Sequence, residues 1–446
     1  MRRLVLGASA LVLAAGGVVF HPSAAVAHGI GGRADLPVPV SFFAVGAGVA
    51  LIISFVMLSE RWSEPRLQTP PPQSVSPGGG WVRALLRFVG TVGFVALIAV
   101  GIGDGGSSRN IAPVLVFVYF WLVLPFLAGV FGNLWRFASP WAWLSAKLNP
   151  SAPERPELLE TVGMWPATIA FVAFTWLELV SAAAGDPRAL AIAALAYTAY
   201  VIAAGFWAGP ETGVVIADGF HHYNDAIGAI APRQLTEDGW QRRRWLQALP
   251  SLPTPKGFTP FVIAMIGTVT YDGLSGSEWW EDTLGELRRN DVFETAALLS
   301  SVAVIGGLYW LASYVATRLA NSDMTPGQVA ARYAHSLVPI ALAYAVAHYI
   351  TLVLFEGQLL LSGLSDPFGR DWDLFGTVEW KTQFFLSANA VWYIQVAVIV
   401  LGHIAGVVLA HDRALADFGG DAVRTQYAML VLMVFLTSLG LFILAG

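Results

Sequence analysis

Ten apolar segments, most of them close to the roughly 20 residues that a helix needs to cross a bilayer, divide this 446-residue chain. They run at 40–58, 84–103, 111–131, 163–184, 189–207, 259–274, 295–317, 333–355, 388–410 and 426–445. In hydrocarbon every backbone N–H and C=O has to find its partner within the protein, so such segments fold as helices. Composition agrees, with 56% hydrophobic and only 12% charged residues against about 25% charged in soluble domains. The expected fold is all-α, a polytopic integral membrane bundle of about ten transmembrane helices. The sixth segment is the weakest, being short and carrying Asp272 near its end.

The first 27 residues read as a cleaved signal peptide, because Arg2 and Arg3 precede the apolar run 4–20 and Ala25-Val26-Ala27 forms an Ala-x-Ala cleavage site. Cleavage would leave His28 as the new N-terminus, offering a metal both its α-amine and its imidazole. An ordinary cut explains His28 equally well, since one imidazole is not a metal site until further ligands join it. From an external start, ten spans put sixteen Lys and Arg residues in inner segments and seven in outer ones. That asymmetry follows the positive-inside rule and predicts a cytoplasmic-membrane protein with both mature ends outside. The net charge of −5 carries little information about partners, because charge here is confined to loops.

Residues 28–446 are expected to form one transmembrane domain. Within it, 67–80, with three consecutive prolines and three consecutive glycines, reads as a flexible cytoplasmic linker. The cytoplasmic loop 210–257 carries Trp240, Arg242, Arg243, Arg244 and Trp245, the pattern of an amphipathic segment at the lipid surface. Three consecutive basic residues are too few for a nucleic-acid surface. The extracytoplasmic loops 275–294 and 356–387 hold eleven of the thirty acidic residues together with Trp279, Trp280 and Trp372, and read as caps over the outer face. Asp291 and Glu294 are spaced as a capping box for the seventh span. No internal repeat of the inverted-repeat transporter kind is visible.

Chemistry is expected where ionisable side chains interrupt the spans, because each is costly there and needs a partner. Glu178 lies in the outer half of span four and Asp272 at the outer end of span six. His348, one turn beyond Tyr344, lies in the outer half of span eight, and His403 near the middle of span nine. Val346, Ala347, Ile350 and Leu352 offer His348 no polar partner, so one must come from another helix or an ion. Glu356 lies within reach of the same region, whereas His335, His411, His221 and His222 belong to the inner side. The chain has no cysteine, which excludes disulfides, thiolate nucleophiles and sulfur-rich metal sites. P-loop, His-Glu-x-x-His, Gly-x-Ser-x-Gly and dinucleotide signatures are absent.

The stretches HGIGGRADLPVP at 28–39, RNIAP at 109–113, FEGQ at 355–358, SDPFG at 365–369, WDLFG at 372–376, GHIAG at 402–406 and HDR at 411–413 resemble a group of actinobacterial membrane proteins. These are known as fenitrothion hydrolases, after a membrane-bound organophosphate-degrading enzyme. The resemblance runs along most of the mature chain and implies phosphotriester hydrolysis, without supplying catalytic residues. On the residues themselves, a divalent metal (Zn, Mn or Cu) held by His348, His403 and a carboxylate would activate water, with Glu178 or Asp272 as second ligand or general base. An apolar ester or a lipid-like phosphate entering from the bilayer is the fitting substrate. Two other classes stay open: a copper-handling protein passing an ion from His28 to the intramembrane histidines, and a proton-coupled transporter in which Glu178 and Asp272 titrate.

Overall fold

The computed structural model describes residues 39–70, 75–106, 109–320 and 323–445. The signal segment and His28 lie outside the described residues. The chain opens with α1 (Val40–Arg61), α2 (Gly80–Ile102), α3 (Val114–Phe131), α4 (Trp165–Leu179) and α5 (Pro187–Ala208). Two short helices follow, α6 (Pro210–Ala217) and α7 (Gly219–Gly228). It then continues through α8 (Phe258–Ser275), α9 (Asp291–Leu319), α10 (Pro326–Leu354), α11 (Ala388–Phe418) and α12 (Tyr427–Ala445). The fold is an all-α polytopic helical bundle, and each of the ten apolar segments forms a helix.

Eight of these helices are long and apolar enough to cross a membrane, all except α4, α8 and the short pair. The shortfall has a physical reason. Helix α8 packs against α4, α9, α10 and α12, and thirteen of its eighteen residues are buried. Covered by protein rather than lipid, it can carry Thr268, Thr270, Tyr271 and Asp272 at low cost. The threonines return their hydroxyls to Ala264 and Ile266 carbonyls one turn back, at 2.8 and 2.9 Å. Helix α4 has 15 residues, about 22 Å at 1.5 Å per residue, less than the roughly 30 Å of hydrocarbon.

Helices α10 and α11 approach backbone to backbone. Gly402 and Gly406, four apart on one face of α11, lie against Pro339 and Ser336 carbonyls of α10, and a Cβ at Gly402 would overlap that of Ala343. This is the small-xxx-small contact by which membrane helices exchange side-chain volume for close packing. Gly402→Ala should therefore destabilise the bundle by about 1–3 kcal/mol, the usual cost of overpacking. Gly93→Ala in α2, where an added Cβ meets nothing within 4 Å, should leave the melting temperature in detergent unchanged or raise it.

Segment 210–257 departs from the expected surface loop. After α5 the chain reverses at Gly209, with φ of 96°, and α6 runs back along α5. The tip is Asp218, which accepts hydrogen bonds from the hydroxyl of Tyr197 at 2.9 Å and Nε1 of Trp135 at 3.3 Å, and caps α7 through Phe220 N at 2.9 Å. Tyr197 stands halfway along α5, so α6 and α7 form a re-entrant hairpin reaching mid-bundle. Irregular backbone at that depth is tolerated because it is buried in protein and hydrogen-bonded. Thr212, Val214, Ile216, Phe220, Tyr223 and Ile227 are buried along it. His222 Nε2 donates to the Val215 carbonyl at 2.6 Å and so ties the two arms together.

The linker reading of 67–80 is also corrected at its ends. Leu67 is buried, and the backbone N–H groups of Arg66 and Leu67 with the Gln68 amide all donate to the Asp412 carboxylate of α11. On the far side, β1 (Val75–Ser76) pairs antiparallel with β3 (Trp240–Arg242), which also pairs with β2 (Arg233–Leu235). Arg83 reaches the Thr236 carbonyl at 3.0 Å and Arg413 the Pro250 carbonyl at 2.9 Å. The loops assigned to one side by span alternation thus meet one another at one end, here called the basic end. At the opposite end Arg109 pairs with Asp371 and Glu379, Arg370 donates to Gly103 O, and Tyr119 to Gly357 O.

Glu154 closes the base of the hairpin. Its carboxylate accepts Glu211 N and Thr212 N, each at 2.9 Å, and the Thr212 hydroxyl at 2.7 Å. Desolvation works against the charged form, but these donors outweigh it and hold the Glu154 pKa below its ordinary value. A depressed folded-state pKa contributes stability that is present above the unfolded value and lost as pH falls through the folded one. Glu154→Gln should accordingly lower the melting temperature near neutrality and flatten its decline below about pH 4, the ordinary carboxylate range; identical pH profiles for the two proteins would refute the assignment.

Candidate functional site

Three helices bring Asp272, Glu178 and His348 to one region. Asp272 is three residues from the end of α8, His348 and Tyr349 lie in the last two turns of α10, and Glu178 is the penultimate residue of α4. His348 Nε2 lies 2.8 Å from Asp272 Oδ2, and the Tyr349 hydroxyl donates to the same oxygen at 2.6 Å. The partner that His348 requires is thus a carboxylate of another helix. Side-chain exposure is 19% for His348 and 10% for Asp272. Gly273 makes room beside them, since a Cβ there would stand 3.6 Å from the imidazole Cε1 and overlap Ile443.

Glu178 is within electrostatic reach of Asp272 and interacts with the Trp121 side chain. Neither Glu178 Oε2 nor Trp121 Nε1 has a hydrogen bond of full geometry, although both atoms are buried. Trp121 projects from Val114–Val123, the first part of α3, which is wound as a π-helix. Such windings are rare, normally a single turn, and often accompany functional sites. The Trp121 ring stacks on Tyr223 of the re-entrant hairpin, with centroids 4.9 Å apart and planes at 24°, and Tyr223 lies within electrostatic reach of Glu178. Tyr349 senses both carboxylates. The site therefore gathers two carboxyl groups, one imidazole and two phenols on α4, α7, α8 and α10, faced by an indole of α3.

His403 is placed differently. Fully buried in α11, it shares a hydrogen bond between Nδ1 and its own turn, the Ile399 carbonyl at 2.9 Å, while Nε2 has no partner. Its ring lies 5.9 Å from that of Tyr344, whose hydroxyl donates to the Leu436 carbonyl. Among the described residues no group of three or more His, Asp or Glu side chains gathers as a metal-holding set. His411 is held between Gln426 and the Trp62 carbonyl, and Glu356 is exposed. Glu294 does not form the expected capping box. Asn290 caps α9 through Val292 N and Phe293 N, while Glu294 accepts the Tyr271 hydroxyl at 2.6 Å and Trp280 Nε1 at 3.4 Å.

Sequence reasoning named Glu178, Asp272 and His348 but passed over Tyr349, Trp121 and Tyr223. It searched the Tyr344 face of the tenth helix because (i, i+4) neighbours share a face. Helix α10 is buried on more than one side, so the adjacent Tyr349 meets Asp272 instead. No family model, curated protein or solved structure matches this chain. Tyr349→Phe should remove a donor to a buried carboxylate and cost about 1–3 kcal/mol, measured by unfolding in detergent; an unchanged variant would mean that the Tyr349 hydroxyl does not hold Asp272.

Proposed function

We propose that this protein is a proton-coupled carrier in which Glu178, Asp272 and His348 bind and release the coupling proton. The observation that carries the reading is the pair of carboxyl groups within electrostatic reach of each other inside an apolar bundle, one with a buried oxygen that has no hydrogen bond of full geometry and the other on an imidazole. Intramembrane carboxylates and histidines arranged as a chain are the usual material of proton relays. A proton taken up by the pair relieves their mutual repulsion, so its arrival and departure change how tightly α4 and α8 are held together. The re-entrant hairpin supports the same class, because half-helices meeting at mid-depth are how many carriers build their sites. The positive-inside rule supports a basic end that faces the cytoplasm, and with it a cytoplasmic-membrane protein with both mature ends outside.

Infrared difference spectra between acidic and neutral pH test proton binding without knowledge of the cargo. A protonated-carboxyl band should be present in the wild type and diminished in both Glu178→Gln and Asp272→Asn. Bands unchanged in both variants would overturn the reading.

A second reading, hydrolysis of an organophosphate-type ester, is favoured by the Asp272–His348 contact and by the resemblance to fenitrothion hydrolases. A carboxylate that orients an imidazole is the general-base arrangement that activates water. His348 would take the proton of the attacking water while Asp272 holds the ring. A metal draws less support from the described residues, since His403 engages its own helix turn rather than joining His348. If fenitrothion turnover is found, and is lost in His348→Ala and Asp272→Asn but kept in Glu178→Gln, the hydrolase reading replaces the carrier.

A further inference from the structure

At the basic end, the connection from Leu249 to Thr254, the start of α10 and the last turns of α11 line a half-open cavity of about 220 Å3. A water needs only about 10–15 Å3 on the same measure. The basic part of the lining is Arg332, His335 and Arg413, Thr254 is a further polar residue, and Leu249, Pro250 and Leu252 supply an apolar wall.

The three basic side chains are not equally engaged. Arg332 spends its fork on Asp417, with Nε donating to Oδ2 at 2.8 Å and Nη2 to Oδ1. Arg413 gives Nη2 to the Pro250 carbonyl at 2.9 Å, while its buried Nε–H has no acceptor. Asp417 and Asp412 both reach Arg413 through space, but Asp417 is occupied by Arg332 and the Asp412 oxygens accept from Trp62, Arg66, Leu67 and Gln68. His335, only 2% exposed, is held through the Arg332 backbone and keeps Nε2 unpartnered.

We infer that this cavity binds a phosphate group bearing a hydroxyl, either hydrogen phosphate or a phosphomonoester. A neutral imidazole that donates one N–H to a backbone carbonyl offers its other nitrogen as an acceptor. The ligand must then present a donor to His335 and an anionic acceptor to Arg413 from one compact group. A P–OH beside P–O oxygens does both, and guanidinium nitrogens match phosphate oxygens in geometry. A carboxylate brings acceptors alone. The same chemistry is available from solution, as inorganic phosphate, or from the bilayer, as the head group of phosphatidic acid.

The test uses the full chain in neutral detergent, with calorimetry against inorganic phosphate and native mass spectrometry against phosphatidic acid and phosphatidylglycerol. Wild type should bind inorganic phosphate, phosphatidic acid or both, and prefer phosphatidic acid to the diester phosphatidylglycerol. Arg413→Gln should weaken binding about tenfold or more, the loss of one hydrogen bond to a charged group. Thr254→Asp adds a negative charge at an exposed rim position and should weaken binding similarly, which keeps the inference testable if Arg413→Gln does not fold. Binding of phosphate alone identifies the solution source, and binding of phosphatidic acid alone the lipid source. Failure of the wild type to bind either, or equal binding by wild type and Thr254→Asp, overturns the inference.

Discussion

Four carboxylates drawn into this bundle are each held by donors from a distant part of the chain, and those donors fix how the helices meet. Asp272 joins α8 to α10 through His348 and Tyr349. Asp218 joins the hairpin to α5 and to the short helix carrying Trp135, Asp412 joins α11 to the segment after α1, and Glu294 joins α9 to α8 and Trp280. Between apolar helices in lipid there is little hydrophobic force to set register. An unpartnered charge, by contrast, is severely penalised, and removing one partner of a buried charged group costs about 3–5 kcal/mol. The carboxylates therefore select one arrangement among many packings of similar apolar area.

Glu178 breaks this pattern. It interacts with Trp121 and Asp272, yet Oε2 has no hydrogen bond of full geometry. Where four other carboxylates are satisfied by donors, this one is left beside a second acid. A purely structural role would be served better by Gln or by an apolar residue of similar volume, and that contrast separates Glu178 from the structural carboxylates.

The fold was legible wherever a helix meets lipid, because only there does the solvent dictate an unbroken apolar run. Three of the helices that build the site, α4, α7 and α8, are ones that hydropathy reads least well. Asp272 weakens its own segment, and α8 tolerates it because protein covers that helix on several sides. The hairpin escaped recognition for the same reason. His221, His222, Asn224 and Asp225 look like a surface in any averaged window, although Asn224 is buried and His222 ties the hairpin's arms together. Small residues held the missing signal: Gly205, Gly209, Gly213, Gly219 and Gly228 each lie where a Cβ would collide with a neighbouring segment. His403 was grouped with His348 by depth alone, and depth does not say which neighbour a helix face meets; Tyr344 stands beside it instead.

The hairpin also bears on how a site near one end of the bundle can communicate with the other. Its two arms start and finish at the basic end, and its tip stands at the level of Tyr197, while Tyr223 on the returning arm stacks on Trp121 beside Glu178. Asp272 and Glu178 approach from helices whose nearer ends lie at the opposite side. The polar groups of the two ends therefore meet inside the bundle, with Trp121 and Tyr223 between the hairpin tip and the carboxyl pair. The two rings stand where Glu178 meets the hairpin, and Trp121 lies in the π-wound part of α3, a winding that often accompanies functional sites.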